Sequence, residues 1–322
     1  MAENTITGLI PEIYEALDIV SRELTGMIPS ATMNASSNTA AVGQAIRIDV
    51  EPAGNVSNIA PAMTVPDPTG QTSGFTDIII TKSRAAEFGF LGEDQKGLNT
   101  GAGYGTVRAN KIAQAIRAVT NEVETDLCGL QSTFSRAHGT AGTAPFGTAN
   151  DYTDASNVLK ILKDNGSPLQ DNQLVINTTA GVNLLGKQAA VADAGSDSIL
   201  RQGVLLDING MPIRESAQIV DQAAGGIAGA ATTNAAGYAV GATVLTLAAG
   251  GTGNVVAGDV LTFAGDTNKY VVASAVFAGV NPAAGDTITL AAPGLRVAMT
   301  AATKAITKIA ASSRNMAFNR SA

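Results

Sequence analysis

The stretch "GDVLTFAGDTNKYVVAS", residues 258–274, lies in a region written almost wholly in small residues. Before it run "AAGGIAGAATTNAAGYAVGATV" and "AAGGTGNVV", which invite reading as linker, phosphate loop or folded module. Alternation decides among the three. Leu261 and Phe263 fall on one face of a strand, and "NKYVVASAV" alternates again after an "AGD" turn, so the stretch reads as a β-hairpin. "YAVGATVLTLA" and "GDTITLAA" carry the same period, "KAITKIA" carries it weakly, and turn signals recur every 8–12 residues or about that. Residues 237–308 therefore read as a compact antiparallel module of roughly 70 residues, within the size that folds alone. The "AGDV" and "AAGDT" echoes are similar turns; their uneven spacing excludes a repeat.

Composition supports a folded chain. At 322 residues and 45% hydrophobic content it can build a sizeable core and two domains. Aromatics are 4% and tryptophan is absent, which disfavours an aromatic-walled ligand pocket. Residues 1–221 hold 14 Lys and Arg against 24 Asp and Glu; residues 222–322 hold 6 against 3. No Asp, Glu, Lys, Arg or His lies between Asp221 and Asp259, the sharpest composition boundary in the chain. The acidic larger part would repel phosphate, which excludes a concentrated basic grip on DNA. Cys128 is the single cysteine, so no intrachain disulfide forms. The first residues carry acids where a signal peptide needs Lys or Arg, and no run reaches the roughly 20 apolar residues of a membrane span; synthesis in a reducing cytoplasm is expected.

Outward from the module, the chain alternates helices and strands. "IPEIYEALDIVSREL" places Ile10, Ile13, Leu17, Val20 and Leu24 at helical spacing behind Pro11. "AIRIDV" and "FTDIIITKS" are strands around a Pro- and Gly-rich excursion, which predicts a two-stranded arm unable to bury its own faces. Ile112, Ile116, Val119, Val123, Leu127, Leu130 and Phe134 predict a long helix over residues 106–134. Then come a helix in "DYTDASNVLKILKDNG" closed by Gly166, a strand in "QLVINTT", and a helix in "TAGVNLLGKQ" capped by Thr178 or Thr179. "ILRQGVLLDINGMPIRESAQI" reads as two short strands around an Asn209-Gly210 turn.

Chemical motifs fail on context. "GAGYGTVRANK" has glycines before a helix but no preceding strand, no correctly placed acid and no Gly-Lys-Ser/Thr. "AAGGTGNVVAGD" leads into a strand, so no helix dipole would meet a phosphate. His138, the single histidine, sits in a Gly/Thr/Ala loop and Cys128 lies near the apolar helix stripe; the two cannot assemble the usual zinc sets. Glu122 with Asp126 and Glu93 with Asp94 read as solvated faces, and Asp266 lacks the acidic companions of a calcium loop.

The order of elements resembles the major capsid (coat) protein of tailed bacteriophages, the "Hong Kong" phage capsid fold. Within that family it is most like the short-tailed-phage coat proteins that carry a telokin-like insertion. The resemblance implies an α+β fold with residues 1–44 as an N-terminal arm and 45–82 as an extended β loop. Residues 83–150 would form a peripheral domain around spine helix 106–134, and 151–236 an α/β axial domain. Residues 237–308 would be the inserted β-barrel and 309–322 a return segment. In that family the chain returns from the insertion into further strands. Here "SSRNMAFNRSA" stops about ten residues after the module, so either the returning portion is missing or the fold closes differently. The resemblance further implies pentamers and hexamers of the chain itself in an icosahedral shell. A scaffolding protein, a portal protein and a decoration protein are the expected partners, around double-stranded DNA held without sequence-specific contact. No membrane, cofactor or metal is implied, and the location is the virion. Arg47, Glu51, Arg84 and Glu87 are the candidate intersubunit charges. A tail, decoration or adhesin subunit is the alternative, and a hydrolase resting on His138 the remote one.

Overall fold

The computed structural model describes residues 24–33, 41–50, 73–87, 89, 92, 104–148, 151–187, 205, 207–222, 224–279 and 281–320. The helix expected before Leu24, Glu51, and the Glu93-Asp94 pair lie outside these residues. Two compact units divide the chain, one of residues 33–89 and one of residues 1–32 with 90–322.

The smaller unit is a two-stranded ribbon. Strand β1 (Ala45–Val50) pairs antiparallel with β2 (Gly74–Ile79), in a register that sets Arg47 opposite Asp77 and Ile46 opposite Ile78. Every residue of β2 is exposed. Two strands alone bury too little to be stable in water.

In the larger unit, helix α1 (Tyr104–Gly129) runs into a 3-10 turn, Leu130–Ser132. It stops short of the expected residue 134 because hydroxyls compete for its last carbonyls. Ser132 Oγ donates to the Gly129 carbonyl, and both Thr133 N and Oγ1 donate to that of Leu130. The apolar stripe read from sequence is only partly the buried face. Val123 and Leu130 are exposed, whereas Glu124, Cys128 and Gln131 are buried. Polar side chains hold this end of the helix to the body, which hydrophobic periodicity cannot show.

Glu124 is the clearest case, 1% exposed. Its Oε1 accepts from Gly26 N at 2.7 Å and Met27 N at 2.8 Å, and its Oε2 from Ile28 N at 3.0 Å. Three charge-assisted bonds replace the water that the carboxylate gave up. They fix the short turn Ile28–Ser30 against a three-stranded sheet, where a Cβ on Gly26 would lie 2.7 Å from Glu215 O and 2.8 Å from Val175 Cγ1.

That sheet has the order β12-β4-β5. Strand β4 (Asn172–Asn177) is central, pairing parallel with β5 (Ile213–Ser216) and antiparallel with β12 (Met316–Asn319). Leu174 and Ile176 pack with Ala180 and Leu184 of helix α3 (Thr178–Lys187) and Ala155 of helix α2 (Thr153–Asp164). Val175 points the other way, toward Met27, Cys128 and Met316. A strand covered on both faces reads as a continuous apolar run. Asn177 caps α3, its Oδ1 accepting from Ala180 N at 2.9 Å; neither expected threonine does so. Gly166, at φ 81°, closes α2 as expected. Asn209 and Gly210 form the expected turn, closed by an antiparallel bridge between Ile208 and Met211; most of the strand expected before it lies outside the described residues, and β5 after it joins β4 in parallel.

The remaining strands form a barrel. β3 (Arg136–Ala137) lies on β9 (Lys269–Val276), within the order β11-β8-β9-β10-β7-β6. These are β11 (Ile306–Lys308), β8 (Val260–Phe263), β10 (Thr287–Leu290), β7 (Val244–Ala249) and β6 (Thr232–Thr233). A bridge between Thr232 and Ala305, with Ile306 N donating to the Ala231 carbonyl, brings the two ends together. Leu261 and Tyr270 face each other across β8 and β9 and share a core with Phe263, Leu245, Leu247, Val272, Ile288, Leu290 and Leu295. Ile227 and Ala231 belong to that core too, so packing begins ahead of residue 237. The glycines serve close backbone approach; a Cβ on Gly253 would overlap the Gly226 carbonyl.

The chain comes back from the barrel into the three-stranded sheet through β12, within the segment 309–322 read as a return, so the fold closes differently from the further strands that the resemblance implies. Gln131, 5% exposed, donates from Nε2 to the Val220 carbonyl on the way out and accepts from Arg314 N on the way back, both at 2.9 Å. Asp221 Oδ1 accepts from Ser313 N at 2.6 Å, and β12 then completes the sheet. A four-residue edge strand without a long alternation leaves little signal in sequence.

Replacing Glu124 by Ala would strand three backbone donors and should lower stability by roughly 3 kcal/mol or more. Gly26→Ala should cost about 1–3 kcal/mol through overlap with Val175. Urea unfolding midpoints at constant slope test both; wild-type midpoints would refute the anchoring role.

Candidate functional site

Among the described residues the ribbon groups several exposed apolar side chains. Alternation and register place Ile46, Ile48 and Ile78 on one face, and Arg47, Phe75, Asp77 and Ile79 on the other. Ile48, Phe75, Ile78 and Ile79 are 40%, 55%, 52% and 57% exposed. Single exposed apolar residues are ordinary, but four on one ribbon make a surface suited to a partner.

Its polar face is organised within the ribbon. Arg47 Nε donates to Asp77 Oδ1 at 3.0 Å and Nη2 to Oδ2 at 3.4 Å, a two-pronged pair. The guanidinium also lies over the Phe75 ring, 3.6 Å from its centroid. The hydrogen bond that Arg47 donates to Asp77 raises the Arg47 pKa further, so the group stays charged throughout the working range. In solvent this pair stabilises little; its effect is to fix which way the face is turned. Asp77 was not among the charges read from sequence, because only the register of the two strands reveals it. Arg84 and Glu87 follow β2 as exposed residues.

The residues weighed for catalysis are dispersed. His138 Nε2 stands 3.8 Å from Asp154 Oδ1, while Asp154 Oδ2 accepts from Phe146 N. Burial, then the neighbouring Lys269, lowers the His138 pKa against the pull of Asp154. Cys128 is buried 3.5 Å from Ser216 Oγ, and burial raises its thiol pKa, which suppresses the thiolate. Asp266 Oδ2 accepts from Tyr270 OH at 2.6 Å, and its Oδ1 from Asn268 N, so it serves its own hairpin. Burial and that bond push the Tyr270 hydroxyl up to about 12. Among the described residues no group of three or more His, Cys, Asp or Glu could hold a metal ion. No helix among them is long and apolar enough to cross a membrane. The glycines at 101–103 lie outside the described residues.

No family model matches the sequence, and no curated protein is similar to it. Two solved structures follow a similar course at 14% identity. One, from Mycobacterium phage Che8, covers 92% of this chain and 91% of its own with a TM-score of 0.44. The other, titled as the capsid structure of the cyanophage P-SCSP1u, covers 91% and 88% with a TM-score of 0.42.

One titration reports on packing beside the sheet. Glu215 sits where a Cβ on Gly181 would meet its carboxylate, and burial raises its pKa above the ordinary 4.5. A raised carboxyl pKa favours the folded state below the ordinary value, and that advantage is lost as pH rises through the raised one. Glu215→Gln should therefore be more stable than wild type at pH 7, with the gap closing below the ordinary 4.5. Urea midpoints at neutral and acid pH measure it; a gap independent of pH would remove Glu215 as the source.

Proposed function

We propose that the chain is the major capsid protein of a tailed bacteriophage, assembling in many copies into an icosahedral shell around double-stranded DNA. The observation that carries this reading is the ribbon β1–β2, ordered in register yet exposing Ile48, Phe75, Ile78 and Ile79. A surface like that gains stability only when covered, at about 1.5–3 kcal/mol for each large apolar side chain. The element order read from sequence supplies the class of partner, further copies of the same chain as pentamers and hexamers. The long α1, the three-stranded sheet and the inserted barrel fit that order, and a tail or decoration subunit has no need of all three.

On this reading the ribbon reaches a neighbouring subunit, and Arg47, Glu51, Arg84 and Glu87 lie along or just beyond it. A scaffolding protein guides assembly, a portal protein admits the DNA and a decoration protein binds the finished shell. An excess of acid, net −7, suits a wall that encloses packed DNA without holding it. The residues proposed to act are structural, and the reading calls for no cofactor.

Ile48→Glu with Ile78→Glu tests it. Exposed substitutions usually change stability by about 0.5 kcal/mol or less, so the variant should keep its unfolding midpoint. Negative-stain microscopy of wild type should show shells or ring-shaped capsomers, and the variant should show isolated subunits. Wild type as fibres or lone monomers, or a variant assembling normally, would sink the proposal.

A further inference from the structure

A second feature belongs to the larger unit alone and is independent of the capsid reading. A cleft of about 140 Å³ opens between α2 and the β8–β9 turn, lined by Arg136, His138, Lys160 and Lys269, with Asn157 and Asn268 between them. Asp164 is its one carboxylate, and it is already engaged by Arg136 at 3.5 Å and Arg296 at 3.8 Å. Three permanent cations and the single histidine of a net-acidic chain thus converge on one small space.

Arg136 is the built part. Its side chain is 4% exposed, and its two terminal nitrogens are satisfied. Nη1 donates to Asn268 Oδ1 at 3.2 Å; Nη2 donates to the Ile161 carbonyl at 3.3 Å and to Asn165 Oδ1 at 3.1 Å. The guanidinium therefore neutralises the negative end of α2 and joins it to the barrel. Nε, buried with the rest, has no hydrogen-bond acceptor. A buried N–H of a charged group without an acceptor is costly to leave so. Lys160 is exposed at the rim, and Lys269 Nζ donates to the Gly139 carbonyl, which holds the His138 loop against the opening. Donors thus come from three elements, β3, α2 and the start of β9.

We infer that this cleft binds a small oxyanion of the phosphate class. Its size accommodates one phosphate group, and its cationic lining comes from three elements, as suits an acceptor with several oxygens. The ligand is a free phosphate ion or a terminal phosphate on a nucleotide, and both share this chemistry. His138 lies close enough to sense the added negative charge through its own protonation.

Inorganic phosphate is titrated into the full chain at constant ionic strength, read by calorimetry and by the His138 imidazole resonances. Saturable binding with a rise in the His138 pKa is expected. Lys160→Gln should weaken binding roughly tenfold, and Lys160→Gln with Lys269→Gln should abolish it. Neither variant touches the Arg136 clamp, so both should fold. Thymidine monophosphate is the second arm; tighter binding than inorganic phosphate identifies an esterified ligand, and weaker binding a free ion. Equal effects from chloride, or unchanged binding in the double variant, would overturn the inference.

Discussion

The larger unit depends on a carboxylate where periodicity would place a hydrocarbon. Glu124 is sequestered from water yet carries three backbone N–H bonds from Gly26, Met27 and Ile28. Those bonds set the 26–30 turn against β4 and β5, where Ser30 Oγ and the Pro29 carbonyl accept from Arg214. One turn onward along α1, Cys128 enters the core beside Val175, and at the next step Gln131 ties both connections of the barrel. Spacings of four and three residues put Glu124, Cys128 and Gln131 on one helical face. Each meets a different segment, so the last turns of α1 and the 3-10 turn that continues it set the relative positions of the N-terminal turn, the sheet and the barrel's attachment.

That arrangement explains how a module of this size interrupts the chain without disturbing the sheet. The outgoing and returning connections run side by side under one glutamine, so the barrel's two ends meet at a point. The barrel also protects itself. The bridge of Thr232 to Ala305 leaves little free edge for pairing with other chains. Arg136 adds a second attachment from the other side, joining the end of α2 to the β8–β9 turn.

What could be read from sequence follows from which forces leave a periodic trace. The hairpin 258–274, the helices α2 and α3, strand β4 and the ribbon strands were legible because burial repeats every two or three to four residues. Contacts made by single polar groups were not. Nothing local distinguishes Glu124, which caps a turn 98 residues away from it, from the neighbouring Glu122. Asn177 outcompeted the two threonines as a cap because its side chain reaches the third amide of the helix. β12 was missed because its partner β4 lies far back in the chain, and "MAFN" is too short to alternate visibly. In the candidate surface the apolar ribbon residues were legible. Asp77 was not, since register alone sets it opposite Arg47.

The ribbon and the barrel answer one problem in opposite ways. Both are antiparallel and both are rich in β-branched residues. The barrel turns its apolar residues inward and closes, whereas the ribbon has no inside. On the ribbon's polar face Arg47 meets its own needs through Asp77 and Phe75, so a partner gains little from engaging that pair and need not desolvate it. What remains available is hydrocarbon, Ile48 and Ile78 on one face and Phe75 and Ile79 on the other, where burial is favourable and non-directional and contacts with register set by the pleat give direction. Association driven by such a face tolerates salt, because no exposed ion pair supplies its energy. A ribbon that pairs Arg47 with Asp77 and leaves its hydrocarbon exposed thus gains stability when another surface covers it.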